Sequence, residues 1–293
     1  MPTTGPVQDM IEERKKQKQN ALLKLNQFVQ EKLTLKRPVF FVPGWTDEDN
    51  TWWTVSNKKF GISVKEWFLR IFNNCDLVEY ITFSDDESKR CKSFLDFGPI
   101  LKNKILSKIG ENQEFDLVGH SMGGLDSVAA IIDDTSPVLK VNNLITVATP
   151  HEGRELVDLL PKLKKGELHH MIQCVNLDPD QFPIKYINEI GIREQLLNRV
   201  KKLYCFTGTI DMAVMRSAKY NKEGTDSDFY KNKVEIIEVG GASHTEKNGI
   251  TLDPRTILAI VYILLGIEIK LGFNYGNLSR GTYTPPDDKD KFI

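Results

Sequence analysis

The stretch FDLVGHSMGGLDSVAAII, residues 115–132, decides the fold of this 293-residue chain. Residues 115–119 form a short apolar run typical of a buried strand, and residues 125–132 have apolar side chains at helical spacing. Ser121 is therefore predicted to lie at a turn between a strand and a helix. So sharp a turn forces a non-glycine residue into a strained backbone conformation, which is tolerated only where its neighbours are small.

Gly119 and Gly123 flank Ser121 in the pattern G-x-S-x-G, the nucleophile elbow. In such an elbow the turn lifts the hydroxyl clear of the sheet, and the first N–H groups of the next helix point at the group under attack. The pattern predicts that Ser121 is a nucleophile. The alternative is a glycine-rich turn with a capping serine, and the rest of the chain has to decide between the two.

The composition argues against nucleic acid and metal as partners. The formal net charge is -1, with acidic and basic residues interspersed, so no nucleic-acid surface is expected. The four cysteines have no metal-ligand spacing, and the acidic cluster at 47–49 does not fit a calcium loop. We therefore predict no metal and no cofactor.

The N-terminal residues have no apolar core of a secretory signal, and this predicts a cytoplasmic protein. The longest strongly apolar stretch, residues 256–269, is shorter than the ~20 residues that span a bilayer. It is predicted to be a buried helix that begins with Asp253 as N-cap and Pro254 at the first helical position.

Strand-like runs alternate with helical segments along the chain. Most of these runs are apolar or β-branched without strict alternation, which is typical of strands covered on both faces. The fold class is therefore α/β, with a mostly parallel central sheet of about six strands and helices on both faces. The predicted strands are residues 38–44, 77–84, 115–121, 142–150, 202–211 and 234–241.

The chain is predicted to have three parts. Residues 1–37 form a peripheral helix, residues 38–271 form the main domain, and residues 272–293 form a polar, loosely ordered tail. The predicted apolar face of the peripheral helix consists of Leu22, Leu23, Leu25, Phe28, Val29 and Leu33. Between the fourth and fifth strands lie about 50 residues, too many for an ordinary crossover. We predict a helical lid insertion at about 152–200.

An activated serine needs a base, and the base needs an acid that holds its tautomer. In this class of fold the chain order is serine, acid, histidine. His244 follows the last strand and is the predicted base. Asp211 ends the preceding strand and is the predicted acid. The alternatives for the acid are Asp226, Asp228 and Glu238, and the other histidines are His120, His151, His169 and His170.

An oxyanion formed at the serine needs two backbone donors. The Met122 N–H follows the nucleophile and is one candidate. Gly44 allows a close backbone approach after the first strand, and the next N–H, that of Trp45, is the second candidate. The indole rings of Trp52 and Trp53 are candidates for an apolar pocket wall, with ordinary core packing as the alternative. His151 is a further pocket candidate, or else a structural group.

Four segments and the late His244 together resemble the α/β-hydrolase superfamily on its lipase side. They are VPGW at 42–45, GHSMGG at 119–124, ATPHEG at 148–153 and TGTIDMAVMRSA at 207–218. The chain is similar to bacterial triacylglycerol lipases and to lipase-like domains of the GPI inositol-deacylase type over residues 38–270. Pro43 replaces a histidine that many relatives carry, a change that the deacylase type tolerates.

The resemblance implies that Ser121 is the nucleophile, Asp211 the acid and His244 the base, with Trp45 and Met122 as backbone donors. It implies a serine hydrolase that cleaves carboxylic esters through an acyl-enzyme. The predicted lid and the tryptophans favour lipid or long-acyl esters. The alternatives are a soluble small-ester esterase or thioesterase, and a non-catalytic binding scaffold. Peripheral membrane contact, through the N-terminal helix, the lid or residues 256–269, is a further prediction.

Overall fold

A parallel sheet forms the centre of the fold, as the alternation of strand and helix patterns predicts. The computed structural model describes residues 6–44, 62–153, 180, 182–211, 220, 227–244 and 249–269. Six strands pair in parallel in the order β2-β1-β3-β4-β5-β6. This confirms the predicted fold class. The strands are β1 (Val39–Val42), β2 (Val78–Tyr80), β3 (Phe115–His120), β4 (Val141–Val147), β5 (Val200–Gly208) and β6 (Val234–Val239).

Helices cover both faces of the sheet. The described helices are α1 (Pro6–Glu31), α2 (Val64–Ile71), α3 (Asp85–Arg90), α4 (Phe94–Ile109), α5 (Met122–Ile132), α6 (Ile184–Ile187), α7 (Ile190–Arg199), α8 (Ser227–Lys233) and α9 (Pro254–Leu265). Apolar side chains of α1, α2 and α9 pack on one face of the sheet. Those of α4, α5 and α7 pack on the other. Every residue of β1, β3 and β4 is consequently buried, as the mostly apolar or β-branched runs without strict alternation predict.

The connections place a topological switch point at the centre of the sheet. From β1 the chain crosses to β2 on one side, and β3 then pairs with the other side of β1. Loops that leave the carboxyl ends of β1 and β3 diverge at such a point and leave a crevice between them. Ser121 follows β3 directly, so it lies at this crevice.

The N-terminal helix α1 packs on the sheet through a narrower apolar stripe than its sequence predicts. Ala21, Leu25 and Phe28 are buried, whereas Leu22 and Leu23 are 40% and 63% exposed. The buried three recur at positions i, i+4 and i+7, which lie along one face of a helix. Leu22 and Leu23 therefore point away from the core, although the predicted apolar face included them.

The C-terminal apolar stretch forms the buried helix α9, as predicted. The Asp253 side chain accepts a hydrogen bond from the Arg255 backbone N–H, and Pro254 occupies the first helical position. The helix ends at Gly266, whose φ of 72° is left-handed. Among the helices that the structure describes, none is long and apolar enough to cross a membrane.

Helix α7 forms the crossover between β4 and β5. Its side chains Leu196 and Leu197 are buried, and Gln195 donates to the Ile132 carbonyl at the end of α5. The part of the predicted lid insertion at 190–199 therefore covers the sheet rather than the site. Residues 154–179 of the predicted lid lie outside the described residues, as does the predicted tail at 272–293. The division into three parts stays a prediction.

A buried carboxylate stabilises the amino end of β3. The Asp116 Oδ1 atom accepts hydrogen bonds from Asn142 Nδ2 at 2.9 Å and from the Asn143 backbone and side-chain nitrogens at 3.0 and 2.8 Å. Burial, which disfavours the charged form, raises the pKa of Asp116 to about 6, although these hydrogen bonds and Arg37 oppose the shift. The stability of the fold therefore depends on pH at this position.

Candidate active site

Ser121 adopts the strained turn that its flanking glycines predict. Its backbone has φ 52° and ψ -125°, a conformation that side-chain-bearing residues rarely adopt. The turn is held on both sides, because the Ser121 N–H donates to the Val147 carbonyl at 2.9 Å and the Gly124 N–H donates to the Ser121 carbonyl at 3.1 Å. The hydroxyl therefore stands between the end of β3 and the first turn of α5.

The glycines of the elbow allow backbones to approach closely. A Cβ atom at Gly119 would lie 2.6 Å from the Cα atom of Gly124, and one at Gly123 would lie 2.1 Å from the Pro43 carbonyl oxygen. Gly124 is equally constrained, because its Cβ atom would lie 1.9 Å from Thr149 Oγ1. The sequence argument gave a role to Gly119 and Gly123 and missed Gly124. The third glycine of GHSMGG was the available signal.

Gly44 brings the loop after β1 to the nucleophile. A Cβ atom built on Gly44 would lie 3.0 Å from Ser121 Cβ and 3.2 Å from His120 Nδ1. The backbone at this position therefore passes directly beside the elbow, where a second oxyanion donor is needed. Trp45, whose N–H is the predicted donor, lies outside the described residues, as do Trp52 and Trp53.

His244 lies between the serine and a buried aspartate. Its Nε2 atom is 3.0 Å from Ser121 Oγ, and its Nδ1 atom is 3.0 Å from Asp211 Oδ2. The histidine side chain is 19% exposed and that of Asp211 is fully buried. An Nδ1–H bond to Asp211 fixes the tautomer in which Nε2 can accept the serine proton.

Asp211 and His244 sit on two loops that hydrogen-bond to each other. The Ile210 N–H donates to the Ala242 carbonyl at 3.1 Å, and the Gly241 N–H donates to Thr209 Oγ1 at 2.8 Å. The loop after β5 and the loop after β6 therefore form one unit at the carboxyl edge of the sheet. This unit sets the separation of the acid and the base.

The structure brings Asp211 to His244 and leaves the alternative acids elsewhere. Asp228 lies on α8 with its side chain 87% exposed, 3.8 Å from the Lys231 ammonium. Glu238 is within β6, and Asp226 lies outside the described residues. Asp211 follows the end of β5 and its N–H donates to the Gly208 carbonyl at 3.2 Å, as its position in the sequence predicts for an acid at a strand end.

His120 packs against His244 rather than facing the crevice. It is 1% exposed, and the centroids of the two imidazole rings are 5.1 Å apart with a 35° angle between their planes. His120 therefore contacts the His244 ring itself, and the sequence did not indicate this contact.

His151 lies in the interior beside β4 and β5. Its Nε2 atom is 2.9 Å from Thr146 Oγ1 and 3.8 Å from Cys205 Sγ, and its carbonyl accepts from Asn188 Nδ2. Burial lowers the pKa of the His151 ring to about 3, so the ring is neutral. These contacts favour the structural alternative over the pocket wall. His169 and His170 lie outside the described residues.

The helix that follows the nucleophile presents an electrostatic field suited to an anion. Met122 is the first residue of α5, so its N–H is among the donors that have no acceptor within the helix. Asp126 lies one turn further on and is 4% exposed. Burial holds the pKa of Asp126 well above its usual range and so favours its neutral form. The neutral carboxyl does not oppose negative charge at the elbow.

The described part of the chain offers no metal centre. No group of three or more histidine, cysteine, aspartate or glutamate side chains lies close enough there to hold an ion. The described residues do offer a serine hydroxyl within hydrogen-bond distance of an imidazole, which is itself within hydrogen-bond distance of a carboxylate. The serine lies next to the amino end of a helix. Such an arrangement can attack a carbonyl carbon and stabilise the resulting oxyanion.

Comparisons with known proteins give the same architecture. The family model for a PGAP1-like alpha/beta domain matches residues 100–163, which contain β3, the elbow and β4. No curated protein sequence matches this chain significantly.

Solved structures similar to this one include hydrolases from bacteria. Phospholipase PlaB from Legionella pneumophila has a TM-score of 0.50 at 14% identity, with 78% of this chain and 59% of that chain covered. Lipase BlEst2 from Bacillus licheniformis in its mature form has a TM-score of 0.49 at 19% identity, with 81% and 94% covered. Est1E from Butyrivibrio proteoclasticus has a TM-score of 0.43 at 14% identity, with 79% and 89% covered.

Proposed function

We propose that this chain, which has an α/β-hydrolase fold, is a serine hydrolase that cleaves carboxylic esters. One observation carries the proposal: the His244 ring lies 3.0 Å from Ser121 Oγ and 3.0 Å from the buried carboxylate of Asp211. A hydroxyl within hydrogen-bond reach of a base that is itself oriented by an acid is the geometry of an activated nucleophile.

In the proposed reaction the Ser121 oxygen attacks the ester carbonyl carbon while His244 Nε2 accepts the hydroxyl proton. Asp211 stays ionised and stabilises the imidazolium. The tetrahedral intermediate then collapses, the C–O bond to the alcohol breaks, and His244 gives its proton to the leaving alcohol. In the second half of the reaction a water molecule gives a proton to His244 Nε2 and attacks the acyl carbon. The bond from that carbon to Ser121 Oγ then breaks, the acid leaves, and His244 returns the proton to the serine oxygen.

Two backbone donors are proposed to stabilise the oxyanion. The Met122 N–H is supported by its position as the first residue of α5. The second donor, the N–H of Trp45, is supported by the close approach of Gly44 to Ser121. Neither the formation nor the hydrolysis of the acyl-enzyme requires a cofactor in this scheme, because His244 accepts and donates every proton.

Lipid or long-acyl esters are the proposed substrates. The support comes from the predicted lid and tryptophans, and from Ile210, which is next to Asp211 and 48% exposed. An apolar side chain beside the proposed acid suits an acyl chain better than a small polar acid. Peripheral contact with a lipid surface is part of the same proposal.

Hydrolysis of p-nitrophenyl esters with acyl chains from C2 to C16 tests both parts. We expect Ser121→Ala to lower kcat by roughly 10⁴- to 10⁶-fold, and Asp211→Asn to lower it by roughly 10⁴-fold. Ser107→Ala on the exposed face of α4 is the matched control and should keep full activity. Full esterase activity in Ser121→Ala would refute the assignment of the nucleophile.

The chain-length profile separates the substrate classes. An optimum at long chains supports the lipase reading, and an optimum at C2 to C4 selects a small-ester esterase or thioesterase. Labelling of wild type, but not of Ser121→Ala, by a fluorophosphonate would exclude a non-catalytic scaffold. Sedimentation with anionic liposomes tests the lipid contact, and no binding would remove it.

A further inference from the structure

The first residue of the loop that carries His244 accepts a hydrogen bond from a buried arginine. Arg255, on the first turn of α9, donates from Nη2 to the Gly240 carbonyl at 2.7 Å. Its side chain is 2% exposed. Gly240 follows β6 directly and lies four positions before His244. The backbone at the base of this loop is therefore attached to α9 by a charge-assisted hydrogen bond.

Asp253 holds the guanidinium group in place. Arg255 Nε lies 2.9 Å from Asp253 Oδ1, and Nη2 lies 2.8 Å from Oδ2, which is a two-point contact. Burial opposes the ionisation of Asp253, but the hydrogen bonds and positive charge of Arg255 outweigh it and lower the pKa of the carboxyl below its usual range. Both partners are therefore charged, and such a buried pair persists only with well-defined geometry.

The N-terminal helix α1 reaches the same pair from outside. Lys18 Nζ lies 3.1 Å from Asp253 Oδ2, and Gln17 Oε1 accepts from Arg255 Nη1 at 3.5 Å. One turn earlier, Arg14 packs on the loop itself, because a Cβ atom at Gly241 would lie 3.1 Å from Arg14 Nη1. Helix α1 thus contacts both the loop and the ion pair that holds it.

We infer that α1 positions the base of the proposed reaction: through Lys18 and the Asp253–Arg255 pair it fixes the backbone that carries His244. This inference rests on the proposed function. Lys18 and Arg255 are positioning residues, since they act through Gly240 and not on the ester. The other side of the loop is held by the loop of Asp211, through Ile210 and Thr209.

The two-sided attachment matters because the alignment of His244 is demanding. Its Nε2 atom has to stay within hydrogen-bond reach of Ser121 Oγ while Nδ1 stays on Asp211. A displacement of about 1 Å in such an arrangement costs roughly 100-fold in rate. If the α1 side of the loop is loosened, the ring loses its alignment although every group that touches the ester is unchanged.

Substitutions in the full-length chain test the inference. Lys18→Met removes the contact to Asp253 at a side chain that is 34% exposed, so the core stays filled. Lys18→Arg restores a cation at this position. Lys15→Met is the matched control on the same helix, because Lys15 lies on the surface and pairs with Glu12. Arg255→Lys keeps the buried charge but cannot contact Gly240 and both oxygens of Asp253 together.

The readouts are kcat and KM on one p-nitrophenyl ester, and the imidazole ¹H–¹⁵N resonances of His244. We expect kcat to fall roughly threefold to tenfold in Lys18→Met and roughly tenfold to 100-fold in Arg255→Lys, with KM unchanged. Lys18→Arg should recover most of the kcat, and Lys15→Met should behave as wild type. The His244 resonances should move in the variants that lose kcat.

A purely structural role would lower the melting temperature and leave kcat and the His244 resonances unchanged at an assay temperature where the variants are folded. That outcome in Lys18→Met would overturn the inference, even if Arg255→Lys lost kcat, because only Lys18 belongs to α1. Its failure is separable from that of the proposed function. Absence of Ser121-dependent turnover in the wild type refutes the function alone, whereas the His244 resonances still decide whether α1 positions the ring.

Discussion

Replacing Ser121 by glycine should give a more stable fold than replacing it by alanine, while both changes abolish the proposed activity. Ser121 has φ 52° and ψ -125°, where a Cβ atom clashes with the backbone and glycine does not. The comparison is between Ser121→Ala, which keeps the Cβ atom and the strain, and Ser121→Gly, which removes both. Neither variant has the hydroxyl, so the difference between them isolates the backbone.

The expected magnitude follows from two opposing effects. Relief of a strained, sparsely populated backbone conformation is worth about 1–3 kcal/mol. Glycine also gives the unfolded chain more freedom, which lowers stability by about 0.4–1 kcal/mol relative to alanine. Ser121→Gly should therefore have a free energy of unfolding higher than that of Ser121→Ala, by about 1 kcal/mol at the middle of both ranges and by at most about 2.5 kcal/mol.

Urea unfolding followed by circular dichroism measures this difference, with the slope of the transition compared to detect a change in the unfolded state. Ser107 on α4 provides the control, because it is exposed in the last turns of a regular helix. There Ser107→Gly should be less stable than Ser107→Ala by about 1 kcal/mol. The reasoning is wrong if Ser121→Gly is less stable than Ser121→Ala by as much as Ser107→Gly is less stable than Ser107→Ala. In that case the elbow stores no strain.

Three further predictions concern crowding, pH and helix stability. The methyl group of Gly123→Ala would lie 2.1 Å from the Pro43 carbonyl oxygen, so this variant should have a lower melting temperature and a lower kcat/KM. The methyl group of Gly98→Ala would lie 2.7 Å from the backbone of α5 at a position remote from Ser121, so this variant should have a lower melting temperature alone. The pKa of Asp116 is about 6 in the folded protein and 3.8 in the unfolded chain, so the folded state loses stability as this carboxyl ionises. In urea unfolding, the free energy of unfolding of wild type relative to Asp116→Asn should therefore fall by about 1–3 kcal/mol as the pH rises from 4 to 6, and a constant difference would contradict this. Gly191→Ala in α7, where a Cβ atom meets nothing within 4 Å, should raise the free energy of unfolding by up to about 1 kcal/mol, and a lower melting temperature would refute it.

The central sheet could be predicted from the sequence because its strands are short apolar runs separated by helical patterns. The predicted runs at 38–44, 115–121 and 142–150 contain β1, β3 and β4 within a few residues. These strands are covered on both faces, so apolar side chains predominate in them without strict alternation, although buried polar groups such as Asp116 occur. The edge strand β2 is half-buried and carries a charged residue, and its predicted run at 77–84 extends beyond its observed end at Tyr80. The predicted run at 234–241 for the other edge strand, β6, begins at its observed first residue.

The candidate site was predicted in part. Ser121 is signalled locally by its flanking glycines, and the chain order of the fold class favours the late His244 as the base. The same order is compatible with Asp211, with Asp226 and Asp228, and with Glu238 as the acid. The catalytic roles of Ser121, Asp211 and His244 stay predictions. The packing of His120 on the His244 ring had no local signal, because it joins residues 124 positions apart.

The sequence by itself determined the order of strands and helices, the strained turn at Ser121 and the start of α9 at Asp253, since each depends on residues within a turn or two along the chain. Only the tertiary structure decided which carboxylate meets His244. It alone also decided that Lys18 of α1 contacts the Asp253–Arg255 pair, whose arginine donates to the loop of His244. Such contacts are set by how helices and loops pack on the sheet. That packing depends on the shape of the whole core, which no short stretch of sequence carries.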